Sequence, residues 1–328
     1  MERKRVLVTR NLPGPALEVL KARAEVRFNE EDRALSHEEL LALSAGIDGI
    51  LCLLTDTIDA AVMEAAGPGL AVISNYAVGY DNIDVVEATR RGIMVTNTPG
   101  VLTEATSDMA WALLFAAARR VVEGDRLTRS GVFAGWSPTL LLGAEIRRRT
   151  LGLIGLGRIG EAMVKPAHGF EMRVVYYDIK RRPPAEEEAL GITYLPLPEL
   201  LAVSDFVSIH VPLLPETRHL IDEAALRRMK PTAILINTSR GPVVDEKALV
   251  RALRQGWIAG CGLDVYEDEP RLAPGLADCP NAVLTPHIAS ATLETRSRMA
   301  EMVVENLLAA LDGRRPPNLV NPEVLRGR

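Results

Sequence analysis

Short apolar runs alternate with longer amphipathic stretches along the whole chain. In the first hundred residues the runs Arg5–Thr9, Gly49–Leu53, Leu70–Ser74 and Ile93–Thr96 are too short for helices and too continuously apolar for half-exposed strands. That is the pattern of strands buried on both faces. Helix-like periodicity fills the intervals, as over Glu38–Leu43 and Val85–Arg91. This β-α-β rhythm predicts a parallel sheet covered on both faces. The stretch Thr103–Arg120 predicts one long helix. It is apolar on nearly every side, so it should be buried between domains or subunits. The rhythm then restarts, with strands predicted at Thr150–Ile154, Arg173–Tyr177, Phe206–Val211, Ala233–Asn237, Ala259–Leu263 and Ala282–Thr285. A last amphipathic helix, Ala291–Leu311, follows the second sheet, as if the chain returned to pack on the first domain. The fold class is therefore α/β, with two doubly wound parallel-sheet domains.

Composition narrows the function classes. At 328 residues the chain has the length of about two domains. A net charge of −5 argues against a general nucleic-acid binder. No apolar run reaches the ~18 residues of a membrane span. The N-terminus passes from Met-Glu-Arg-Lys-Arg directly into Val-Leu-Val, too short for a signal-peptide core. The expected location is the cytoplasm, without membrane or nucleic-acid partners. Cys52, Cys261 and Cys279 are far apart and form no CxxC pair, so neither a disulfide framework nor a metal site is expected. Cys52 and Cys261 lie in apolar runs and read as small core residues.

The strand Thr150–Ile154 runs into Gly155-Leu-Gly157-Arg158-Ile159-Gly160, and a helix-like segment follows. In that context G-x-G-x-x-G is a dinucleotide fingerprint. The first glycine allows the tight turn, the second lets the backbone approach a pyrophosphate, and the third lets helix and strand pack closely. The helix start offers free N–H groups to phosphate, and Arg158 could add a direct contact. Strand Arg173–Tyr177 ends in Asp178, roughly 20 residues past the loop, where an acidic residue accepts the ribose hydroxyls of NAD. An ordinary loop carboxylate is the alternative. Asp178 would repel a 2′-phosphate, which favours NAD over NADP. Lys180, Arg181 and Arg182 could still tolerate that phosphate, so NADP stays possible. Pro166 falls inside the helix after the loop and should end or kink it.

Of the five histidines, His37, His168 and His219 lie in polar segments or helix ends and read as structural. His210 ends an apolar strand and reads as a satisfied core histidine. His287 follows the last strand in Thr-Pro-His-Ile-Ala-Ser, at the carboxyl end of a sheet, where open α/β sheets hold their ligands. On its own it fits structure and chemistry equally. Hydride transfer to a carbonyl needs a proton donor, and an anionic substrate needs a guanidinium that can grip a carboxylate. Arg240, in Asn-Thr-Ser-Arg-Gly, supplies the second. Glu267 and Glu269 stand before Pro270, either as partners for a histidine or as a solvated turn.

These segments together are identifiable. The chain resembles the D-isomer-specific 2-hydroxyacid dehydrogenases over its whole length, through Gly79-Tyr-Asp-Asn-Ile-Asp84, Gly155–Gly160, Asn237-Thr-Ser-Arg-Gly241, Gly262-Leu-Asp-Val-Tyr-Glu-Asp-Glu-Pro270 and Thr285-Pro-His-Ile-Ala-Ser290. Within that family it is most similar to the glyoxylate/hydroxypyruvate reductases, through Leu53-Leu-Thr-Asp56, Gly135-Trp-Ser-Pro138 and Asn318-Leu-Val-Asn321. The resemblance implies a flavodoxin-like substrate domain of residues 1–100 plus 289–328 and a Rossmann coenzyme domain of residues 101–288. It implies His287 as acid/base, Glu269 as its partner, and Arg240 on the substrate carboxylate and carbonyl. Val78 and Gly79 would hold the carboxylate through N–H groups, with Leu54 and Ser290 beside the substrate. Asp264 would contact the nicotinamide carboxamide, and Pro212, Thr217, Thr238 and His287 would line the cofactor. Trp136 would reach into a neighbouring subunit's site, because the family forms dimers around the long helix. The segment Ile-Arg-Arg-Arg before Thr150 departs from the family's usual Gly-Lys pair, and it should affect stability more than chemistry. The implied reaction is reduction of glyoxylate or hydroxypyruvate. A related activity on another small 2-oxo acid, formate or phosphite, or a NAD-sensing binding protein of the same fold, are the alternatives.

Overall fold

Five strands lie in the first part of the chain: β1 (Arg5–Val8), β2 (Glu25–Phe28), β3 (Gly49–Cys52), β4 (Val72–Asn75) and β5 (Met94–Thr96). Seven follow: β6 (Thr150–Ile154), β7 (Arg173–Tyr177), β8 (Ile192–Tyr194), β9 (Phe206–Ile209), β10 (Ile234–Asn237), β11 (Gly260–Leu263) and β12 (Ala282–Leu284). The computed structural model describes residues 3–31 and 33–327. The chain divides into two compact units, Met1–Leu102 with Ala291–Arg328, and Thr103–Ser290.

In the first unit the sheet order is β2-β1-β3-β4-β5, all parallel. This is the flavodoxin-like arrangement, with its topological switch between β1 and β3. The central strands are buried along their whole length because both faces are covered. Ile50, Ile73 and Val95 face one apolar layer, and Val6, Leu51 and Val72 the other. The C-terminal helix Leu293–Leu311 supplies much of the second layer through Met299, Val303 and Leu307. The Asn318–Asn321 segment pins the chain end to β5. Leu319 bridges Thr96, and Asn321 accepts the Val95 N–H at 2.8 Å and donates to the Ile93 carbonyl at 2.9 Å.

In the second unit the order is β12-β11-β10-β9-β6-β7-β8, again all parallel, with the switch beside β6. The long predicted helix is one helix over Thr103–Ala118, and its buried face packs on β10, β11 and β12. Arg120 then takes a left-handed conformation (φ 54°), and a second helix, Val121–Arg129, follows. The helix after the glycine loop is broken at Met163 into Arg158–Ala162 and Val164–Gly169. Pro166 is the physical reason, since it has no N–H to return to residue 162 and its ring crowds that carbonyl. The first turn is untouched, with Glu161 N–H donating to the Gly157 carbonyl at 2.9 Å.

Two strands, β2 and β8, are absent from the predicted set. Both are edge strands, and neither is continuously buried. Without cover along both faces they lack the continuous apolar run by which the central strands are read. Two of the three arginines before β6, Arg147 and Arg148, pair with Glu171. Cys52, Cys261 and Cys279 are free thiols in the buried layers. Among the described residues, no helix is long and apolar enough to cross a membrane, and no group of three or more His, Cys, Asp and Glu is arranged to hold a metal.

Candidate active site

The glycine loop sits at the switch point of the second unit. Gly155 has φ +92°, and a Cβ on it would stand 2.8 Å from the His210 carbonyl carbon. A Cβ on Gly160 would lie 2.2 Å from the Gly155 carbonyl oxygen, whereas one on Gly157 would meet nothing within 4 Å. The first and third glycines are thus demanded by the protein's own packing. The second guards open space, which is what a pyrophosphate approaching the backbone requires. Thr238, after β10, buries a hydroxyl oxygen that has no partner, a group that fits a hydrogen bond from a bound cofactor. The residues present therefore fit a dinucleotide.

Asp178 follows β7 and supports the loop itself, with one carboxylate oxygen accepting the Leu156 N–H at 2.8 Å. Of the three cations beyond it, two are committed elsewhere. Arg181 grips Glu187 through two contacts of 2.8 Å, and Arg182 reaches Glu161 and Glu186 at 3.0 Å each. The side chains of Arg158 and Lys180 are exposed, and Ile159 is half-buried. Pro212 is exposed, and Thr217 closes the turn behind it by donating to the Pro212 carbonyl at 2.7 Å.

The three candidate reacting residues come from adjacent strand ends. His287 follows β12, Glu269 lies on the loop after β11, and Arg240 follows β10. His287 Nδ1 is 2.9 Å from Glu269 Oε2, and Glu269 Oε1 accepts the Tyr266 N–H at 3.0 Å. Burial alone would raise the Glu269 carboxyl. The His287 contact, the Tyr266 N–H and the Arg240 charge outweigh it and hold the group below its ordinary range. The structure thus separates the two acidic candidates. Glu269 faces His287, while Glu267 turns away to His219, with Nε2 to Oε1 at 2.7 Å. His219, read as structural, is therefore part of the same loop system. His287 itself is left-handed (φ 54°), a conformation histidine tolerates better than most residues. Arg240 is half-buried, and its Nη1 donates to the Ser239 carbonyl at 2.8 Å.

Asp264 lies behind the candidate residues, at the base of the His287 loop. It is fully buried, and its oxygens accept from Thr285 Oγ1 at 2.6 Å, Ile288 N at 2.8 Å and Ala289 N at 2.7 Å. It anchors the His287 loop. An acidic residue after a strand looks the same in sequence whether it faces a ligand or caps its neighbours' amides. Ser290 is half-buried at the end of this loop. Trp136 lies in a segment without helix or strand whose residues 131–140 are all exposed, and it is itself 85% exposed. His210 is satisfied as predicted, with Nε2 2.9 Å from Ser208 Oγ, and burial pushes it down to about 4.

In the first unit, Leu54 follows β3 and is exposed, and Val78 and Gly79 follow β4. Asparagines that the sequence reading did not single out hold these loops, Asn75 and Asn97 the Val78–Gly79 turn and Asn82 the loop that carries Leu54. Asn97 donates to the Val78 carbonyl at 2.7 Å, and Asn75 donates to the Gly79 carbonyl at 2.8 Å. Asn82 donates to the carbonyls of Leu53 and Asp56, each at 3.0 Å. With their carbonyls taken by side chains, the peptides of Val78 and Gly79 are held in fixed orientation.

Comparison with known proteins agrees with this geometry. Residues 111–289 match the family described as D-isomer specific 2-hydroxyacid dehydrogenase, NAD binding domain. The chain is 56% identical over 327 residues to the glyoxylate reductase of Korarchaeum cryptofilum, covering 99% of this chain and 98% of that protein. It is 51% identical over 328 residues to the glyoxylate reductase of Pyrococcus furiosus, covering 99% and 97%. Among solved structures, a Thermus thermophilus protein superposes with a TM-score of 0.90 at 52% identity, covering 96% of this chain and 99% of the other. The NADPH-dependent glyoxylate/hydroxypyruvate reductase of Sinorhizobium meliloti, solved with NADP and malonate, does so at 0.86 with 36% identity and 98% coverage of each. A nucleotide fingerprint, a histidine–glutamate pair and an arginine on adjacent strand ends, and full-length likeness to these proteins lead to one conclusion: this chain belongs to the D-isomer specific 2-hydroxyacid dehydrogenases.

Proposed function

We propose that the protein reduces glyoxylate, and hydroxypyruvate alongside it, to the corresponding 2-hydroxy acid, with NADH preferred over NADPH. The observation that carries the reading is the 2.9 Å His287–Glu269 pair beside Arg240, on the same sheet as the glycine loop. The cofactor, when bound, supplies a hydride to C2 of the 2-oxo acid. His287 gives the carbonyl oxygen its proton from Nε2, the nitrogen not engaged by Glu269. Glu269 fixes the ring's orientation and balances its positive charge. Arg240 grips the substrate carboxylate and polarises the neighbouring carbonyl. In the other unit, the N–H groups of Val78 and Gly79, in the turn held by Asn75 and Asn97, are offered to a carboxylate, and Leu54 and, in the nucleotide unit, Ser290 are assigned to the substrate.

The cofactor preference is supported by Asp178, which repels a 2′-phosphate, and by the commitment of Arg181 and Arg182 to glutamates. Gly155, Gly157 and Gly160 cradle the pyrophosphate, with Arg158 and Ile159 at the helix start, while Thr238, Pro212 and Thr217 border the nucleotide. We also assign the units their roles: the unit containing Leu54 receives the 2-oxo acid and the unit containing the glycine loop receives the nucleotide. A homodimer accounts for the exposed apolar residues Val132, Phe133, Trp136 and Leu142, with Trp136 limiting substrate size in a partner's site.

The test is oxidation of NADH and of NADPH with glyoxylate, hydroxypyruvate, pyruvate and a branched 2-oxo acid. Fast turnover confined to the two small substrates with NADH supports the whole reading. Turnover chiefly on pyruvate or larger acids overturns the substrate assignment. A preference for NADPH overturns the role given to Asp178. Cofactor binding without turnover of any 2-oxo acid overturns the enzyme reading itself.

A further inference from the structure

Glu246 begins the helix Glu246–Gln255 and is only 2% exposed. Burying a carboxylate is unfavourable unless its oxygens are satisfied. Here both are satisfied by main chain: Oε1 accepts the Glu267 N–H at 2.7 Å and Oε2 accepts the Ala273 N–H at 3.1 Å. Burial, together with the nearby charges of Glu267 and Glu269, pushes this carboxyl above its ordinary range. The two donors lie on either side of Glu269 on one loop, so a single buried side chain grips that loop at both ends.

Two more contacts join the same loop to its neighbours. A Cβ on Gly241, the residue after Arg240, would lie 1.8 Å from the Tyr266 carbonyl carbon and 2.5 Å from the Glu267 nitrogen. The two backbones are therefore in direct contact. His219 holds the Glu267 side chain at 2.7 Å. The peptide pressed against Gly241 joins Tyr266 to Glu267, and Tyr266 in turn donates its N–H to Glu269 at 3.0 Å. A continuous path of hydrogen bonds and packing thus runs from Glu246 through the Tyr266–Glu267 peptide to Glu269 and His287, beside the segment that carries Arg240.

We propose that Glu246 is a positioning residue for the acid–base pair: by clamping the Glu267–Ala273 loop at both ends, it sets where Glu269 meets His287. This rests on the reading of His287 as proton donor. Glu246 touches neither substrate nor cofactor and acts through Glu269. His219 is the second, weaker grip on the same loop.

Glu246→Gln keeps the size and one accepting oxygen but turns an NH2 group toward one of the two main-chain donors, opening one end of the clamp. The expected result is a fall in kcat for glyoxylate reduction of about 10- to 100-fold, the scale of a misplaced catalytic group. KM for NADH should stay within about two-fold, since the glycine loop takes no part in the clamp. In a Glu269→Gln background the same substitution should change kcat less than about two-fold, because its route to the chemistry is already cut. A merely structural role would lower kcat by the same factor in both backgrounds, and that result overturns the inference, as does an unchanged kcat in the single variant. His219→Asn repeats the cycle from the half-exposed side of the loop, and asparagine tolerates the φ of +51° there. It should give a smaller loss with the same dependence on Glu269, and it decides the matter if Glu246→Gln does not fold. A parent protein that reduces no 2-oxo acid overturns the functional reading instead, so the two failures are distinct.

Discussion

Gly157 and Gly160 stand three residues apart in one loop, yet alanine at each should act in opposite ways. At Gly160 the added methyl would sit 2.2 Å from the Gly155 carbonyl oxygen, which backbone cannot accommodate without moving. Overpacking of this kind costs about 1–3 kcal/mol. For a unit of this size that lowers the midpoint of thermal unfolding by about 3–10 °C. The displaced turn should also weaken NADH binding. At Gly157 the backbone has φ −75°, open to any residue, and the methyl meets nothing within 4 Å. Gly157→Ala should therefore unfold within about 1 °C of the parent, since a surface change of this kind is worth under ~0.5 kcal/mol. Its methyl would instead occupy the space through which the pyrophosphate approaches. A steric loss of about 1–3 kcal/mol there corresponds to a roughly 5- to 150-fold rise in Kd for NADH. Thermal unfolding without cofactor, paired with a fluorescence titration of NADH, measures both quantities. Parent-like NADH affinity in Gly157→Ala would show that the pyrophosphate does not lie against this glycine. Equal destabilisation of the two variants would refute the packing argument.

Three further outcomes follow from the geometry. Glu269→Gln should lower kcat by about 10²-fold or more while KM for NADH is unchanged, as expected of a group that orients an acid/base; steady-state kinetics with full turnover would sink that role. Asn97→Ala frees the Val78 peptide and should raise KM for glyoxylate by about 5- to 10-fold, the worth of about 1 kcal/mol of hydrogen bonding, with kcat largely kept; an unchanged KM argues against Val78 as a carboxylate ligand. His210 is held near 4 by burial, against 6.5 when exposed, so the folded state binds fewer protons than the unfolded one in that interval. Stability should be complete above pH 6.5 and fall by up to about 3 kcal/mol as pH drops from 6.5 to 4. His210→Gln should flatten that slope in thermal melts, and parallel melting curves for the two proteins would refute it.

The legible parts of this protein are those whose cause is local. Strands β3, β4, β6, β7, β9 and β10 read as apolar runs because both their faces are covered. The break at Met163 could be anticipated because a proline removes its donor wherever it stands. The glycine loop was readable because its three glycines fall within six residues, directly after an apolar strand. Strands β2 and β8 were hidden because most of their residues are exposed or half-buried, which leaves no continuous apolar run.

Along the chain, then, spacing and polarity settle the parallel α/β class, the dinucleotide fingerprint and the short set of side chains able to do hydride chemistry, since each is written within a few neighbouring residues. Only the folded chain shows Glu269 meeting His287 while Glu267 turns to His219, Asp264 accepting from Thr285 and two amides of the His287 loop, and Asn75 and Asn97 holding the Val78–Gly79 turn. Those assignments depend on hydrogen bonds between residues distant in sequence, whose directions are set by where parallel strands end.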